Sequence, residues 1–286
     1  MLASLAGQTA LPDQLVVVDG SASPIEDIVK AFPRLPLEYV RCVPPSLARQ
    51  RNAGMARLAS GITLAGYLDD DLVLERDAIQ SMRQFWESAQ ADIGGAAFNI
   101  RNNPRPGGLR LKRLFGIDSA RPGMVLPSGC ASTIPSQSGD IETEWLYGGA
   151  TVWRRDVVRD FGYDEWFVGT GFMEDIDYSF SVRSRYRLAI VSRAQVTHYS
   201  RPVRPDRQSL LGTWQVVNRM YFVRKYTSRG MSRARAWWAT LGLILLNTGA
   251  AIVRRDLQYW NRARGNIAGV FSLMRRRHAQ IGGYLK

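Results

Sequence analysis

Residues 1–90 alternate between short apolar stretches and helical patterns, and this alternation constrains the fold most strongly. Residues 14–20 ("QLVVVDG"), 37–42 ("LEYVRC") and 62–71 ("ITLAGYLDDD") predict strands with buried side chains. The segments between them predict helices, the first with Ser23 as its N-cap and the second ending just before Gly61. Strand–helix alternation predicts an α/β fold in which a mostly parallel central sheet is flanked by helices.

The remaining part of the body is less regular. Residues 99–139 are rich in Gly, Pro, Arg and Ser, which predicts loops. The stretch "EWLYGGATVWRRDVV" predicts a strand that runs into Gly148 and Gly149 and is followed by a helix. A glycine-containing loop then leads into a further helix near Glu174.

Carboxylates follow two of the predicted strands and open one helix. Asp19 and the cluster Asp69–Asp71 stand at strand ends, and Glu174–Asp175 begins the later helix. In a parallel sheet the carboxyl ends of the strands border one cleft, so these groups could meet there. An Asp-x-Asp pair suits a hard divalent cation that also binds phosphate. A separate carboxylate could accept a proton from an attacking hydroxyl.

Each carboxylate also has a structural explanation. Asp71 or a neighbour could cap the next helix, or the three aspartates could form a solvated turn. The acids at 174–177 could stand in a first helical turn because the helix dipole favours them there. Asp19 could orient its own turn. The sequence patterns taken one at a time leave these alternatives open.

The charge is distributed unevenly along the chain. The protein has 38 Lys and Arg against 25 Asp and Glu, a net charge of +13. Residues 201–286 hold 17 of these bases and only two acids, Asp206 and Asp256, while residues 1–200 hold 21 bases and 23 acids. A basic tail on a nearly neutral body suggests an anionic partner, either phospholipid or nucleic acid.

The tail contains an uncharged stretch, residues 236–253 ("AWWATLGLILLNTGAAIV"), with arginines on both sides. It is short for a spanning helix, and Asn247 and two glycines weaken a span further. Tryptophans at one end favour a helix that lies in the membrane interface, with a buried core helix as the alternative. The first residues lack a signal-peptide pattern, and two cysteines suit a reducing compartment. We therefore expect a cytoplasmic protein associated peripherally with the inner face of the cell membrane.

Taken together, seven segments of the chain resemble the inverting glycosyltransferases of family 2, which have the GT-A fold. The segments follow the family's order over nearly the whole chain: "LASLAGQT", "LVVVDGSAS", "SLARQRNAG", "GYLDDDLVL", "YGGATVWRRDVV", "FVGTGFMEDIDYSFSVR" and "VTHYSRP". The resemblance is to the bacterial type that makes surface polysaccharides or exopolysaccharides. It implies a catalytic domain over 1–200, with a nucleotide-sugar half (about 1–98) and an acceptor half (about 140–200), and a basic helical region over 201–286.

The resemblance also implies roles for individual residues. Nucleotide contacts would come from Asp19, Asp70 and either Arg49 or Arg51. Mg²⁺ or Mn²⁺ would be held by Asp69, Asp71 and His198. Asp175 and Glu174 would be the catalytic residues, with Asp175 as the base, and the acceptor would lie against Gly148, Gly149 and Trp166. The implied reaction moves one sugar from a nucleotide-diphosphate sugar to a lipid-linked or oligosaccharide acceptor at the inner membrane surface, without nucleic acid.

Two departures from the family pattern qualify this expectation. The resemblance starts inside the family's first helix, at "MLASLAGQT", so the family's first strand and the following nucleotide-contacting loop have no counterpart in the sequence. The motif Gln-x-x-Arg-Trp of the processive members is only approximated by "QVVNRMYF" (215–222), which favours transfer of a single sugar. The alternatives are a catalytically silent GT-A scaffold and, because of the basic tail, a nucleic-acid-binding protein.

Overall fold

The structure, a computed structural model, describes residues 1–105, 107–169 and 171–275. The chain forms two compact units. Residues 1–105 and 134–200 form an α/β unit, and the segment from 106 to 133 joins the chain after 200 in a helical unit. Residues 107–133, which the sequence assigned to the catalytic domain, therefore pack with the helices. Residues 276–286 of the predicted tail lie outside the described residues.

The α/β unit contains helices and strands in this order: α1 (Leu2–Ala6), β1 (Leu15–Asp19), α2 (Glu26–Lys30), β2 (Leu37–Arg41), α3 (Leu47–Met55), β3 (Leu64–Leu68), β4 (Leu72–Leu74), α4 (Ala78–Ser88), β5 (Ile93–Ile100), β6 (Ile141–Thr143), β7 (Ala150–Arg154), α6 (Arg155–Asp160), α7 (Glu174–Val182) and β8 (Arg187–His198). The predicted α/β class is confirmed.

The strands are arranged in two sheets. β1 and β2 form a parallel pair, and the other strands form a six-stranded sheet in the order β3-β7-β5-β8-β4, with β6 also paired to β8. In this larger sheet only β5 and β8 run parallel, so the sheet is mixed rather than mostly parallel. The reason is the position of β7, which begins after Gly148–Gly149 instead of running into them, and which pairs antiparallel with both neighbours.

The centre of the sheet is formed by β5, whose eight residues are all buried. Two of its residues are glycines because large aromatic rings pack against the strand. A Cβ at Gly95 would overlap the Trp153 ring, which is itself 1% exposed. Large buried side chains from both faces, among them Phe98 and Tyr178, complete the core.

Two predicted helix boundaries are wrong. α2 begins at Glu26 with Ile25 at the N-cap and without a side-chain capping bond, not after Ser23. The Asp19 carboxylate accepts hydrogen bonds from the N–H groups of Ser21 and Ile25 and so holds this segment as a loop. α3 ends at Met55, well before Gly61.

The helical unit contains α5 (Leu109–Leu114), α8 (Gln208–Lys225), α9 (Arg233–Arg254) and α10 (Leu257–Met274), with 3-10 turns at Pro205–Arg207 and Thr227–Arg229. Side chains cap two of these helices. Ser232 Oγ accepts the Arg235 N–H at 3.4 Å, and Asp256 Oδ1 accepts the Gln258 N–H at 2.8 Å. The predicted helical tail is confirmed.

The loop before residue 134 is held within this unit by hydrogen bonds to α9. The Ser232 N–H donates to the Pro127 carbonyl at 2.7 Å, and Trp238 Nε1 donates to the Leu114 carbonyl at 2.9 Å. Arg219, from the segment that approximates the processive motif, is 3% exposed and donates to Thr240 Oγ1 at 2.5 Å. This hydrogen bond of Arg219 lies within the helical unit and stabilises it.

Candidate active site

The buried guanidinium of Arg51 connects two of the predicted carboxylate sites. Arg51 lies on the inward face of α3, and its side chain is 6% exposed. Its Nη1 is 2.6 Å from Glu174 Oε1, and its Nη2 is 3.4 Å from Asp69 Oδ1. The Tyr163 ring lies 5.0 Å from the Arg51 Cζ. The ion pairs therefore bring the aspartate turn at 69–71 to the start of α7.

The glycines at 148 and 149 leave room for this arrangement. A Cβ at Gly149 would overlap the Asp69 carboxylate, and one at Gly148 would overlap the Arg51 guanidinium. The Gly149 carbonyl also accepts the Asp69 N–H at 2.8 Å. The structure thus places both glycines against the cluster of charges. Their predicted contact with an acceptor stays a prediction.

Asp71 and His198 are brought together by the pairing of β4 with β8, in which Leu72 is opposite His198. His198 Nε2 is 3.1 Å from Asp71 Oδ1. This oxygen is buried and accepts no hydrogen bond from the described residues. Within those residues no group of three or more His, Cys, Asp or Glu side chains is arranged to hold a metal ion. The structure therefore brings together two of the three predicted ligands, Asp71 and His198, and a metal site that also includes Asp69 stays a prediction.

The start of α7 has an unusual backbone. Met173, which precedes Glu174, has a φ of 80°, and Gly171 has a φ of 67°. A left-handed conformation at a residue other than glycine costs on the order of 1–3 kcal/mol and tends to occur at functional sites. This conformation begins the helix at Glu174 and points its first carboxylate at Arg51.

The two acids at this helix start have different environments. Burial, followed by the charge of Asp175, raises the pKa of Glu174 to about 8, against the opposing effect of Arg51. The pKa of Asp175 is also raised, chiefly by burial. Asp175 nevertheless remains partly accessible to solvent, and its Oδ1 accepts the Ile176 N–H at 2.8 Å. Of these two acids, Asp175 is the less buried residue.

Asp19 is 3% exposed and its carboxylate is occupied by its own loop. It accepts hydrogen bonds from the backbone of Ser21 and Ile25, from Tyr39 Oη at 2.6 Å and from Arg41 Nη1 at 2.5 Å. Burial opposes ionisation, but the hydrogen bonds from Tyr39, Ser21 and Arg41 hold the pKa of Asp19 well below its usual range. Its contact with a nucleotide base stays a prediction.

The structure does not bring the remaining predicted residues into the charged cluster by any contact that it records. Asp70 is exposed at the turn, and Arg49 is partly exposed two residues before Arg51, on another face of α3. Trp166 is partly exposed and packs edge-on against Phe167. The sequence reasoning missed Tyr163, which stacks on Tyr178 and lies over Arg51. No motif or periodicity distinguishes this tyrosine from other loop aromatics.

Comparison with known proteins gives the same fold. The model of the family "Glycosyl transferase family 2" matches residues 1–161. The structure of Staphylococcus aureus TarS 1–349 in complex with UDP has a TM-score of 0.50 at 14% identity, over 99% of this chain and 85% of that one. GalNAc-T7 with UDP, GalNAc and Mn²⁺ has a TM-score of 0.50 at 16% identity, over 81% of this chain and 48% of that one.

The chain spans about half the length of a longer S. aureus TarS structure, covering 52% of it at 13% identity and a TM-score of 0.49. No curated protein matches the sequence.

The family match covers more than half of the chain, so the protein belongs to glycosyl transferase family 2. Its α/β unit is that of a glycosyltransferase with the GT-A fold.

Proposed function

We propose that the protein transfers one sugar from a nucleotide-diphosphate sugar to an acceptor hydroxyl with inversion at the anomeric carbon. One observation carries this proposal. The buried Arg51 contacts both Asp69 and Glu174, so the aspartate turn, whose oxygens suit a cation, and the helix start that carries Asp175 belong to one connected site. Sugar transfer requires both a group that stabilises a leaving diphosphate and a group that accepts a proton.

Asp71 and His198, with Asp69, are the residues that would hold Mg²⁺ or Mn²⁺. A bound divalent cation supplies positive charge that neutralises the departing diphosphate. The buried Asp71 Oδ1 supports this role because it accepts no well-aligned hydrogen bond, even from His198 Nε2 at 3.1 Å, and a carboxylate oxygen in this position gains from a nearby cation. The GalNAc-T7 structure contains Mn²⁺ with the same fold, which is a further reason to test metal dependence.

In the proposed reaction Asp175 is the catalytic base. Its carboxylate takes the proton of the acceptor hydroxyl while the hydroxyl oxygen attacks the anomeric carbon and the bond to the diphosphate oxygen breaks. Attack on the face opposite the leaving group inverts the configuration in one step. The raised pKa of Asp175 suits a base because it strengthens the carboxylate as a proton acceptor. Glu174, which is buried against Arg51, is a positioning residue and not a second base.

We further propose that the acceptor is a lipid-linked or oligosaccharide intermediate of surface polysaccharide synthesis at the inner face of the cell membrane. One described helix, Arg233–Arg254, is long and apolar enough to cross a membrane. By itself this is weak support, since core helices of soluble proteins pass the same criterion. The strongly basic composition of residues 201–286 is a second reason to expect an anionic membrane surface.

The proposal is tested by donor hydrolysis, with water as the acceptor. The protein is incubated with UDP-, GDP- and TDP-sugars and Mn²⁺, beginning with UDP-GlcNAc, and the first sugar released is followed by proton NMR. A first-formed anomer opposite to that of the donor supports inversion, and retention would overturn it. Binding of a donor without any turnover favours the silent scaffold. Salt-sensitive DNA binding without donor binding favours the nucleic-acid-binding protein.

A further inference from the structure

The outward face of α9 is apolar, and the inward face is made of small and polar residues. Its exposed large side chains recur at helical spacing along one stripe, namely Trp238, Leu241, Leu245 and Ile252. Their exposure rises from 44% at Leu241 to 71% at Ile252. The buried residues of the same helix are Ala236, Ala239, Thr240, Gly242 and Asn247. This is the reverse of the pattern on a helix of a water-soluble protein.

α10 has the same inverted pattern. Its exposed stripe contains five large apolar residues, Leu257, Trp260, Ile267, Phe271 and Met274, which are 42% to 75% exposed. Its buried residues are mostly small or polar and include Ala263, Gly265, Asn266 and Gly269. A Cβ at Gly265 would overlap the Ser209 carbonyl, so α8 and α10 approach each other closely there. We call the two exposed stripes of α9 and α10 the apolar stripes.

The inward polar groups have partners within the helical unit. Asn247 Nδ2 donates to Asn266 Oδ1 at 2.9 Å, and Asn266 Nδ2 donates to the Gly212 carbonyl at 2.8 Å. Thr240 Oγ1 accepts from the buried Arg219. The amide side chains of Asn247 and Asn266 and the hydroxyl of Thr240 are therefore already paired within the unit. Small and hydrogen-bonded residues inside with large apolar residues outside are typical of helices that face lipid.

Charges around the apolar stripes are predominantly positive, and the one acid beside them, Asp256, caps the start of α10. Arg233 and Arg235 stand at the start of α9, Arg254 and Arg255 at its end, and all four are exposed. Arg264 is exposed within the α10 stripe. Lysine and arginine beside an apolar surface attract anionic headgroups, and long arginine side chains can reach the headgroups from an immersed stripe.

A segment distant in sequence extends this surface at the start of α9. Leu111 and Leu114 of α5 are 56% and 63% exposed. The Leu114 carbonyl accepts the Trp238 Nε1–H, and the Phe115 ring packs against the Trp238 ring at 5.2 Å between centroids. Tryptophans held near basic residues are typical of the membrane–water boundary.

We propose that the apolar stripes insert side-on into one leaflet of an anionic phospholipid bilayer. The occupant is lipid because the surrounding charge is mostly positive and large apolar side chains recur along both stripes. The helices lie in the leaflet and do not span it, because their inward faces pack within the unit and Arg264 lies midway along the α10 stripe. This inference goes beyond the proposed sugar transfer and does not rest on it.

The test uses the full chain and flotation with vesicles of phosphatidylcholine alone or mixed with phosphatidylglycerol. The protein floats with the mixed vesicles, and binding to them weakens as salt is raised. Leu245→Glu and Phe271→Glu each lower the partition coefficient at least about tenfold, because each puts a charge in place of an apolar side chain that the bilayer would bury. Leu11→Glu, at a leucine that is 41% exposed in the α/β unit, is the matched control and leaves partitioning unchanged.

Other results overturn the proposal. If neither stripe variant weakens flotation, the apolar stripes do not contact the bilayer. A protein that fails to float and forms a dimer dissociated by Leu245→Glu would make the stripes a contact between two copies of the chain. Monomeric protein that stays in solution would exclude both. Circular dichroism without vesicles checks that the variants fold, and unchanged nucleotide binding by them separates this outcome from the proposed catalytic function.

Discussion

Helices α9 and α10 bury the opposite kind of side chain from the α/β unit. In the α/β unit large apolar residues such as Phe98 and Trp153 fill the interior, and its buried charges include the cluster around Arg51 and the carboxylate of Asp19. In the helical unit α9 and α10 turn small and polar residues inward and large apolar residues outward. The buried charges around Arg51 are the basis of the proposed reactive site, and the exposed apolar residues are the basis of the proposed membrane-binding surface.

The largest expected effect concerns the accessible carboxylate of the α/β unit. Asp175→Asn removes the proposed base but keeps the hydrogen-bonding shape of the side chain. We expect kcat to fall by about 10³-fold, within the range for loss of a general base, with little change in nucleotide binding. The release of sugar or nucleotide measures kcat. Asp156→Asn, on the exposed side of α6, should keep full activity. Equal rates for wild type and Asp175→Asn would assign the base elsewhere.

Replacing the central cation tests whether the buried charges depend on one another. Arg51→Met leaves Glu174 buried without its partner, and above the pKa of Glu174, where its carboxylate is ionised, we expect a loss of about 3–5 kcal/mol in the free energy of unfolding, measured with urea. The double variant Arg51→Met with Glu174→Leu removes both charges and should recover part of this loss. If the single and double variants were equally unstable, the ion pair would not be the cause.

A pair of leucines compares the two units directly. Leu146→Ala, at a position 1% exposed in the α/β unit, should cost about 2–5 kcal/mol of stability because it leaves a cavity. Leu245→Ala, at a position 51% exposed on α9, should change stability in water by less than about 0.5 kcal/mol. Chemical unfolding without lipid measures both. A large loss of stability in Leu245→Ala would contradict the conclusion that the α9 stripe packs against no other part of the unit.

Substitution of a glycine beside the charged cluster should have a smaller effect than the loss of Asp175 or of Arg51. A methyl group at position 149 overlaps the Asp69 carboxylate and forces it to move. Overpacking costs about 1–3 kcal/mol, so Gly149→Ala should weaken metal-dependent nucleotide binding by about 10- to 100-fold. Gly61→Ala, where an added Cβ meets nothing within 4 Å, is the matched control and should bind as wild type does.

Much of the fold follows from local patterns, and the parts that do not are those set by distant contacts. Strands β1, β2 and β3 occur where the apolar periodicity predicts them. The prediction of a mostly parallel sheet was wrong because the residues of a strand such as β7 do not encode which neighbours it pairs with, or in which direction. The short strand β4 was missed because it continues directly from the aspartate turn.

The candidate site shows the same difference between features set by local patterns and features set by distant contacts. Strand ends predicted Asp69 and Asp71, a helix start predicted Asp175, and the family resemblance predicted His198; the roles of these residues stay predictions. The contact between Arg51 and Glu174 joins residues 123 positions apart, so no local pattern reveals it. The left-handed backbone at Met173 could not be predicted either, because the residue type does not indicate it.

The central claim is that the aspartate turn belongs to a metal-dependent nucleotide site, and calorimetric titration tests it most directly. UDP, GDP and TDP are titrated with and without Mn²⁺ into wild type, Asp71→Asn and the control Asp77→Asn. We predict that one nucleotide binds in a Mn²⁺-dependent manner, that Asp71→Asn weakens this binding at least about tenfold, as expected for loss of a charged ligand, and that Asp77→Asn does not. Binding that needs no metal, or no binding to any of the three nucleotides, would contradict the claim.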